Sequence, residues 1–414
     1  VDNPELEALL TPEALRLLDE TPTPATNDDV LATISRLRKA SHPIERVHAV
    51  MNQLSLRAKA REKFGDFAPR MLFTKEGLEQ ATRLDVASHH AGRFRAAEIT
   101  SIIDAGCGIG ADSLAFAGLG IQVTAIERDT ATAALATYNL APFAEATVIN
   151  GDVRESDLSG AQALWIDPAR REGPTRLHNP EDWSPSLDWV FDMATQRPTG
   201  IKLAPGMDRD LIPERVEAQW VSHQGTVVEM LLWSGVVKRE GVTRSALVIS
   251  RSGSAEMVAS ADSPDADVGD LHEYLYEPDG AIIRARLIGD LARSFDATMI
   301  DASIAYVSSA TAHQSPLMQG FQVIEQVPYS LKNVKALIAG ANLSSLEIKK
   351  RGIDVDPAEL RKTLPLSGSG TATLILTRVK GHKTALLAKR LDSLAEDVAG
   401  ANEEREDNGQ GHEN

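Results

Sequence analysis

Apolar residues recur three or four positions apart along the first seventy residues, the period of helices that bury one stripe. Thr11 followed by Pro12 predicts one helix start, and Asn27-Asp-Asp ahead of Val30 predicts another. From His42-Pro-Ile the apolar positions Val47, Val50, Met51, Leu54 and Leu56 continue one helix to Phe64. The pattern then changes. Between 101 and about 252, short apolar runs alternate with helical spacing, which predicts a mainly parallel sheet covered on both faces. The expected strands are Ser101–Asp104, Gln122–Glu127, Ala146–Asn150, Ala163–Asp167, Thr199–Leu203, Thr226–Trp233 and Ser245–Ser250, the last two forming an antiparallel edge. Ser252–Asp270 is rich in small and turn residues and reads as a linker or exposed hairpin. A helix is expected from Glu277-Pro278 onward, then strands around Tyr306 and Phe321–Tyr329. Past Pro328 the pattern gives a helix over Ser330–Ala339, a strand over Ser345–Arg351 and a helix from Asp356. Two paired strands follow, Thr371–Lys380 and His382–Arg390.

The first run of the alternating region ends in Asp104-Ala-Gly106-Cys107-Gly108-Ile-Gly110, and a helical pattern begins at Ala111. Glycines there let the backbone turn sharply and bring main-chain N–H groups close to a ligand. Gly106-x-Gly108-x-x-Ala111, with Glu127 about 20 residues on, also satisfies the dinucleotide fingerprint and leaves NAD open. Asp104 argues the other way: a carboxylate two residues before the first glycine repels a pyrophosphate but welcomes an ammonium.

Open parallel sheets bind ligands beyond the carboxyl ends of their strands, so the chemistry is sought there. Glu127 suits two ribose hydroxyls. Asp152 suits an adenine amine, with Ile149 or Val153 against the ring; the alternative is a turn residue. Strand-like Ala163–Ile166 ends in Asp167-Pro168-Ala-Arg170, the candidate reaction site, where proline removes a donor and fixes the backbone. Lys202 either faces this pocket or makes a structural salt bridge. The segment Leu72–Thr82 either covers the pocket or is scaffolding, and the proline-rich loop 171–185 is the expected place of acceptor recognition. Adjacent His89 and His90 point about 100° apart on a helix, which speaks against a metal site.

Composition narrows the class. A single cysteine, Cys107, excludes an intrachain disulfide framework and a Cys-cluster zinc site. It also disfavours C5-pyrimidine chemistry, since a cysteine nucleophile is needed there and this one sits inside the glycine loop. No apolar run is long enough for a transmembrane helix, and the acidic start shows no secretory leader, so a cytoplasmic protein without membrane or metal partners is expected. The net charge is −16, yet residues 328–391 carry twelve bases against four acids, and the rest of the chain to 414 carries eight acids against one base. Local sign matters more than the total when the partner is a phosphate backbone. Arg57, Lys59, Arg61 and Lys63 fit either nucleic acid or a solvated helix face, and Leu366–Gly370 either a phosphate or a turn.

The forms D-x-G-x-G-x-G at Asp104–Gly110 and Asp-Pro at Asp167-Pro168 together resemble the class I S-adenosylmethionine (SAM) methyltransferases. With the Ile348–Gly352 and Gly370–Thr373 regions, the chain resembles one bacterial family of these enzymes that carries a ferredoxin-like insert and a C-terminal THUMP-like domain. The resemblance covers roughly residues 70 to 391. It implies an α/β fold with a Rossmann-like seven-stranded core over 71–255, preceded by a helical region over 1–70. Two small α+β modules follow, ferredoxin-like over 256–327 and THUMP-like over 328–391, before an acidic tail over 392–414.

The implied cofactor is SAM, held by Asp104, Gly106, Cys107, Gly108, Gly110, Glu127, Asp152 and Asp167. Asp167, Pro168 and Arg170 are the implied catalytic residues. THUMP domains bind structured RNA, so a tRNA or rRNA methyltransferase acting on a base nitrogen or ribose oxygen is implied. The D/N-P-P-Y/F form of related motifs carries an aromatic ring where Arg170 stands here, which leaves the acceptor atom open. Two alternatives stand beside this reading: a methyltransferase of a small molecule or protein, and a non-catalytic RNA-binding protein that keeps SAM as a structural ligand.

Overall fold

A computed structural model of the chain describes residues 4–168, 171–172, 175–176, 183–251 and 253–391. It divides into two compact units, Val1–Glu217 with Leu231–Arg239, and Ala218–Met230 with Glu240–Asn414.

The first unit opens with helices α1 (Pro4–Leu9), α2 (Pro12–Glu20), α3 (Asn27–Lys39) and α4 (Ile44–Phe64). Thr11 caps α2 and Thr26 closes a capping box with Asp29 on α3; each satisfies an N–H that the helix start leaves unpaired. The inner face of α4 is polar where it braces the chain that follows. The Gln53 amide donates to Phe73 O at 2.6 Å and accepts from Phe73 N at 3.1 Å, and Arg57 Nε donates to Met71 O at 2.9 Å. Arg57 is buried and Lys63 donates to the carbonyls of Leu78, Glu79 and Ala81. Those two bases therefore hold the fold, and neither of the readings expected for them describes their place.

After α5 (Lys75–Gln80) and α6 (Leu84–Ala96) comes the sheet: β1 (Ser101–Ala105), β2 (Gln122–Glu127), β3 (Ala146–Asn150), β4 (Ala163–Ile166) and β5 (Thr199–Leu203), in the order β5-β4-β1-β2-β3 and all parallel. Helices α7 (Ala111–Gly118), α8 (Thr130–Leu140) and α9 (Leu187–Gln196) are its connections. Its aromatic core is Phe94, Phe116, Trp165 and Trp233, with ring centroids 5.6 to 6.3 Å apart, mostly edge-on. Glu217, with its side chain fully buried, is clamped by Arg93 and Arg239. Burial pushes its carboxyl up, but the Arg239 hydrogen bonds and the Arg93 charge outweigh that and leave it lowered.

The second unit contains β6 (Glu217–His223, from Ala218 on), the start of β7 (Thr226–Ser234), β8 (Arg244–Ser250) and β9 (Gly253–Ala259). Here the expected antiparallel edge is corrected. β6, not foreseen, lies between β7 and β8 and pairs with β8 in parallel, while β8 pairs antiparallel with β9. The run Glu217–His223 mixes Glu, Gln, Ser and His with its apolar residues, yet all seven positions are buried; that polar content hid it.

The rest is one seven-stranded sheet of β10 (Tyr274–Pro278), β11 (Thr298–Asp301), β12 (Ile304–Ser309), β13 (Met318–Pro328), β14 (Leu343–Lys350), β15 (Gly370–Val379) and β16 (His382–Arg390). Its order is β11-β12-β10-β13-β16-β15-β14. Only β14 and β15 pair in parallel. Alternation puts Leu374 and Leu376 in a core with α10 (Leu331–Gly340), and Ile375 in a second core with Phe321 and Tyr306. Glu277 and Pro278 belong to β10, and the helix expected there starts only at Gly280, because Asp279 caps it. The segment Leu366–Gly370, read as either a phosphate loop or a turn, does not keep its donors free: Gly368, Ser369 and Gly370 spend their N–H groups on the carbonyls of Leu343 and Asn342.

Gly200 on β5 has no space for a side chain, since a Cβ would stand 2.8 Å from atoms of both Trp165 and Trp233. Gly200→Ala is expected to destabilise the protein by about 1–3 kcal/mol, the usual cost of overpacking, measured by urea unfolding. An unchanged midpoint would contradict this packing.

Candidate active site

Parallel register brings the expected residues to one level. Ala105 pairs with Ile166, and Ile166 with Ile201, so Gly106 and Asp167, just beyond β1 and β4, come level with Lys202 in the last pleat of β5. A Cβ on Gly106 would lie 3.3 Å from the Asp167 carbonyl oxygen, which keeps the two motifs in direct contact. Gly106, Gly108 and Gly110 have φ of +85°, +57° and +87°, the left-handed region that side chains disfavour. A Cβ on Gly110 would press on Leu140, whereas one on Gly108 would meet nothing within 4 Å. The middle glycine therefore faces open space.

Glu127, at the end of β2, holds this loop. Its carboxylate accepts from Gly108 N at 3.0 Å and from Asp129 N at 2.9 Å. Gly106 N and Cys107 N both donate to Ile126 O. Cys107 is buried, and burial first, then the Asp104 and Glu127 charges, push its thiol well above the usual range; a protonated thiol is a poor nucleophile. Beyond β3, Asp152 caps the turn Val153–Glu155 and pairs with Arg154, whose hydrogen bond first of all pulls the Asp152 carboxyl down to about 2. Ile149 is 42% exposed at the end of β3, an apolar surface beside that acid. Pro168 is buried. Arg170 lies outside the described residues, as do residues 173–174 and 177–182 of the expected acceptor-recognition loop and the acidic tail from 392 on.

Beneath the loop lies a polar cluster that sequence reasoning did not assemble. Asp104 is 1% exposed and accepts from Ser113 Oγ at 2.5 Å. Asp112, also buried, accepts from Thr82 Oγ1 at 2.8 Å and meets His90 Nδ1 at 2.8 Å. Lys202 Nζ donates to Asp167 Oδ2 at 2.6 Å and to Thr82 Oγ1 at 2.9 Å. Of the two readings open for Lys202, the structure shows the salt bridge, made with the predicted site residue Asp167. The signal for His90 was present. Val86, Ala87, His90 and Phe94 share helical spacing, and all are buried on α6; the ring lies 4.5 Å from that of Trp165. Thr82 carried no pattern of its own.

The charges are unequal. Burial pushes Asp104 up to about 8, helped by the Asp112 and Asp167 charges and opposed by Ser113 and Lys202. Burial raises Asp112 too, but the His90 hydrogen bond and charge, with Lys202 and Thr82, outweigh it and leave that carboxyl lowered.

The segment expected either to cover the pocket or to be scaffolding is tied to the glycine loop. Asn139 of α8 accepts from Leu72 N at 2.7 Å and donates to Leu72 O and Ile109 O. Gly77 on α5 packs on Ile109, where a Cβ would stand 2.7 Å from the side chain. Among the described residues, no group of three or more His, Cys, Asp or Glu is arranged to hold a metal ion, and no helix is long and apolar enough to cross a membrane.

A glycine loop after β1, acids at the ends of β2 and β3 and an Asp-Pro corner after β4 define the class I methyltransferase architecture. The chain is 30% identical over 347 residues to an uncharacterised S-adenosylmethionine-dependent methyltransferase of Mycobacterium tuberculosis, found in strains H37Rv and CDC 1551. The match spans 81% of this chain and 94% of the relative. The chain belongs to this family and is a SAM-dependent methyltransferase. A crystal structure from Porphyromonas gingivalis W83, assigned provisionally to the methyltransferases, has the same fold. Its TM-score is 0.71 at 21% identity, covering 88% of this chain and 99% of that one. Residues 318–390 match the family described as THUMP domain-like, and residues 2–60 match a domain of unknown function.

The buried acid yields a test by pH. With a folded value of about 8 against an ordinary 3.8, Asp104 stabilises the fold fully below about pH 4, and this is lost as pH rises through about 8. Asp104→Asn is therefore expected to raise the melting temperature by several degrees near pH 9 and to change it little near pH 4. A difference independent of pH would contradict the buried, protonated carboxyl.

Proposed function

We propose that this methyltransferase modifies a base nitrogen or ribose oxygen of a structured RNA, a tRNA or rRNA. The observation that carries the reading is the charge pattern of the THUMP-like match. Lys332, Lys350, Arg361, Lys383 and Lys389 are exposed, within residues 328–391, where bases outnumber acids three to one, and none of the five has an ion pair among the described residues. Unpaired cations of one sign suit a phosphate backbone.

The residues around the glycine loop fit the cofactor. Open space over Gly108 leaves room for it, and its adenine would lie on exposed Ile149 beside Asp152. Glu127 would take the ribose hydroxyls, Cys107 would pack against it and Asp104 would offset the amino-acid ammonium. When bound, SAM supplies a methyl group already activated for attack. The chain's own residues then have to position the acceptor: Asp167 would accept a hydrogen from the acceptor's amine or hydroxyl, and Pro168 holds that corner without offering a donor. Arg170 would bind the base or a phosphate of the substrate.

Calorimetric titration of the whole chain with S-adenosylhomocysteine should show binding on the order of micromolar at neutral pH, and NAD none. Because Asp104 must ionise to meet an ammonium, the affinity should rise by up to about tenfold per pH unit between pH 6 and 8. Asp104→Asn should remove that dependence. Transfer of labelled methyl from SAM to total RNA should follow, with RNA affinity falling steeply as salt is raised. Labelling of protein or small molecules in its place would overturn the RNA assignment.

A further inference from the structure

Lys202 is placed differently from an ordinary surface ion-pair partner. Its side chain is 15% exposed while that of Asp167 is 37% exposed, so the cation sits on the inner side and the carboxylate on the outer. β4 and β5 are already joined by their backbone hydrogen bonds, and the pair is not needed to hold them together. The ammonium is itself fixed from behind, by Thr82, which donates to Asp112, which in turn meets His90. That line of contacts runs from α6 through α7 to β5 and ends on the one acid of the Asp-Pro corner.

We propose that Lys202 is a positioning residue for methyl transfer: it fixes the orientation of the Asp167 carboxylate, and the Thr82–Asp112–His90 line fixes Lys202. The inference rests on the methyltransferase reading given above and names what holds its reaction corner in place. Charge-assisted hydrogen bonds are short and directional, and a carboxylate that must hold the acceptor's amine or hydroxyl in line with the methyl donor loses rate when it is free to turn. Asp104, Asp112 and Lys63 also act electrostatically on this region, since Lys202 lowers the carboxyls of Asp104 and Asp112 and the Lys63 ammonium. Removing the Lys202 charge should therefore be felt by more than one group, and for that reason the test includes a variant that keeps the charge.

The test compares Lys202→Met, Lys202→Arg and Thr82→Val in the full chain. Three readouts are taken: S-adenosylhomocysteine affinity, single-turnover methyl transfer to total RNA from a host lacking the gene, and a crystal structure of each variant. At pH 9, where Asp104 is ionised, Lys202→Met should bind the homocysteine within about threefold of wild type and keep its RNA KM within about threefold. Its transfer rate should fall by about thirtyfold or more. Lys202→Arg should recover most of that loss, and Thr82→Val should lie between. In the Lys202→Met crystal, the Asp167 carboxylate should shift by about 1 Å or adopt two orientations while the glycine loop stays in place.

A wild-type rate in Lys202→Met, or an unmoved carboxylate, would overturn the proposal. So would a loss of cofactor affinity that accounts for the whole loss of rate. If the wild-type protein binds the homocysteine but methylates no RNA, the RNA assignment fails, and the carboxylate position in the variant crystals decides the role of Lys202. Should Lys202→Met not fold, the Thr82→Val crystal and the Lys202→Arg rate carry the same decision.

Discussion

Three carboxylates, a lysine and a histidine share the space under the glycine loop, and the geometry of the methyltransferase unit depends on keeping them paired. Buried charge is costly unless it is bonded or neutralised. Here each acid is dealt with separately. Asp112 has His90 and Thr82, Asp167 has Lys202, and Asp104, which accepts from the Ser113 hydroxyl, sits near 8 rather than near 4. Since these partners come from α6, α7, β4 and β5 and from the turn before α6, the pairing fixes where all of them stand. The glycine loop lies on top of the cluster and inherits its position.

The same logic gives the N-terminal helices a role in the site. Gln53 and Arg57 on α4 hold Met71–Phe73, Asn139 ties Leu72 to Ile109, and Gly77 packs on Ile109. Side-chain bonds to backbone groups fix a segment that has no sheet partner. A continuous set of contacts thus leads from the helical region to the residue between Gly108 and Gly110. The second unit is organised by different means, strand alternation with a core on either face of its seven-stranded sheet.

Much of this was legible in the sequence, and the exceptions have physical reasons. Period and glycine spacing place β1 to β5 and the loop, because a parallel sheet buried on both faces needs continuous apolar runs and its ligand loop needs positive φ. The strand Glu217–His223 escaped because its Glu, Gln, Ser and His are buried by pairing, not by hydrophobicity; Glu217 itself is satisfied by two arginines distant in sequence. The Thr82–Lys202 contact spans 120 residues, and no local pattern encodes such a meeting. Asp104 stands out in sequence as an acid at a ligand loop, but its burial and protonation follow only from its neighbours.

Cofactor, loop and strand-end acids are proposed to form one site in the first unit. Hydrogen–deuterium exchange of the full chain with and without S-adenosylhomocysteine decides this. Exchange should slow in the segments around Gly106–Gly110, Glu127–Asp129 and Asn150–Val153, and in Leu72–Thr82 that packs on the loop. Slowed exchange confined to the second unit, or none in these four segments under saturating ligand, would contradict it.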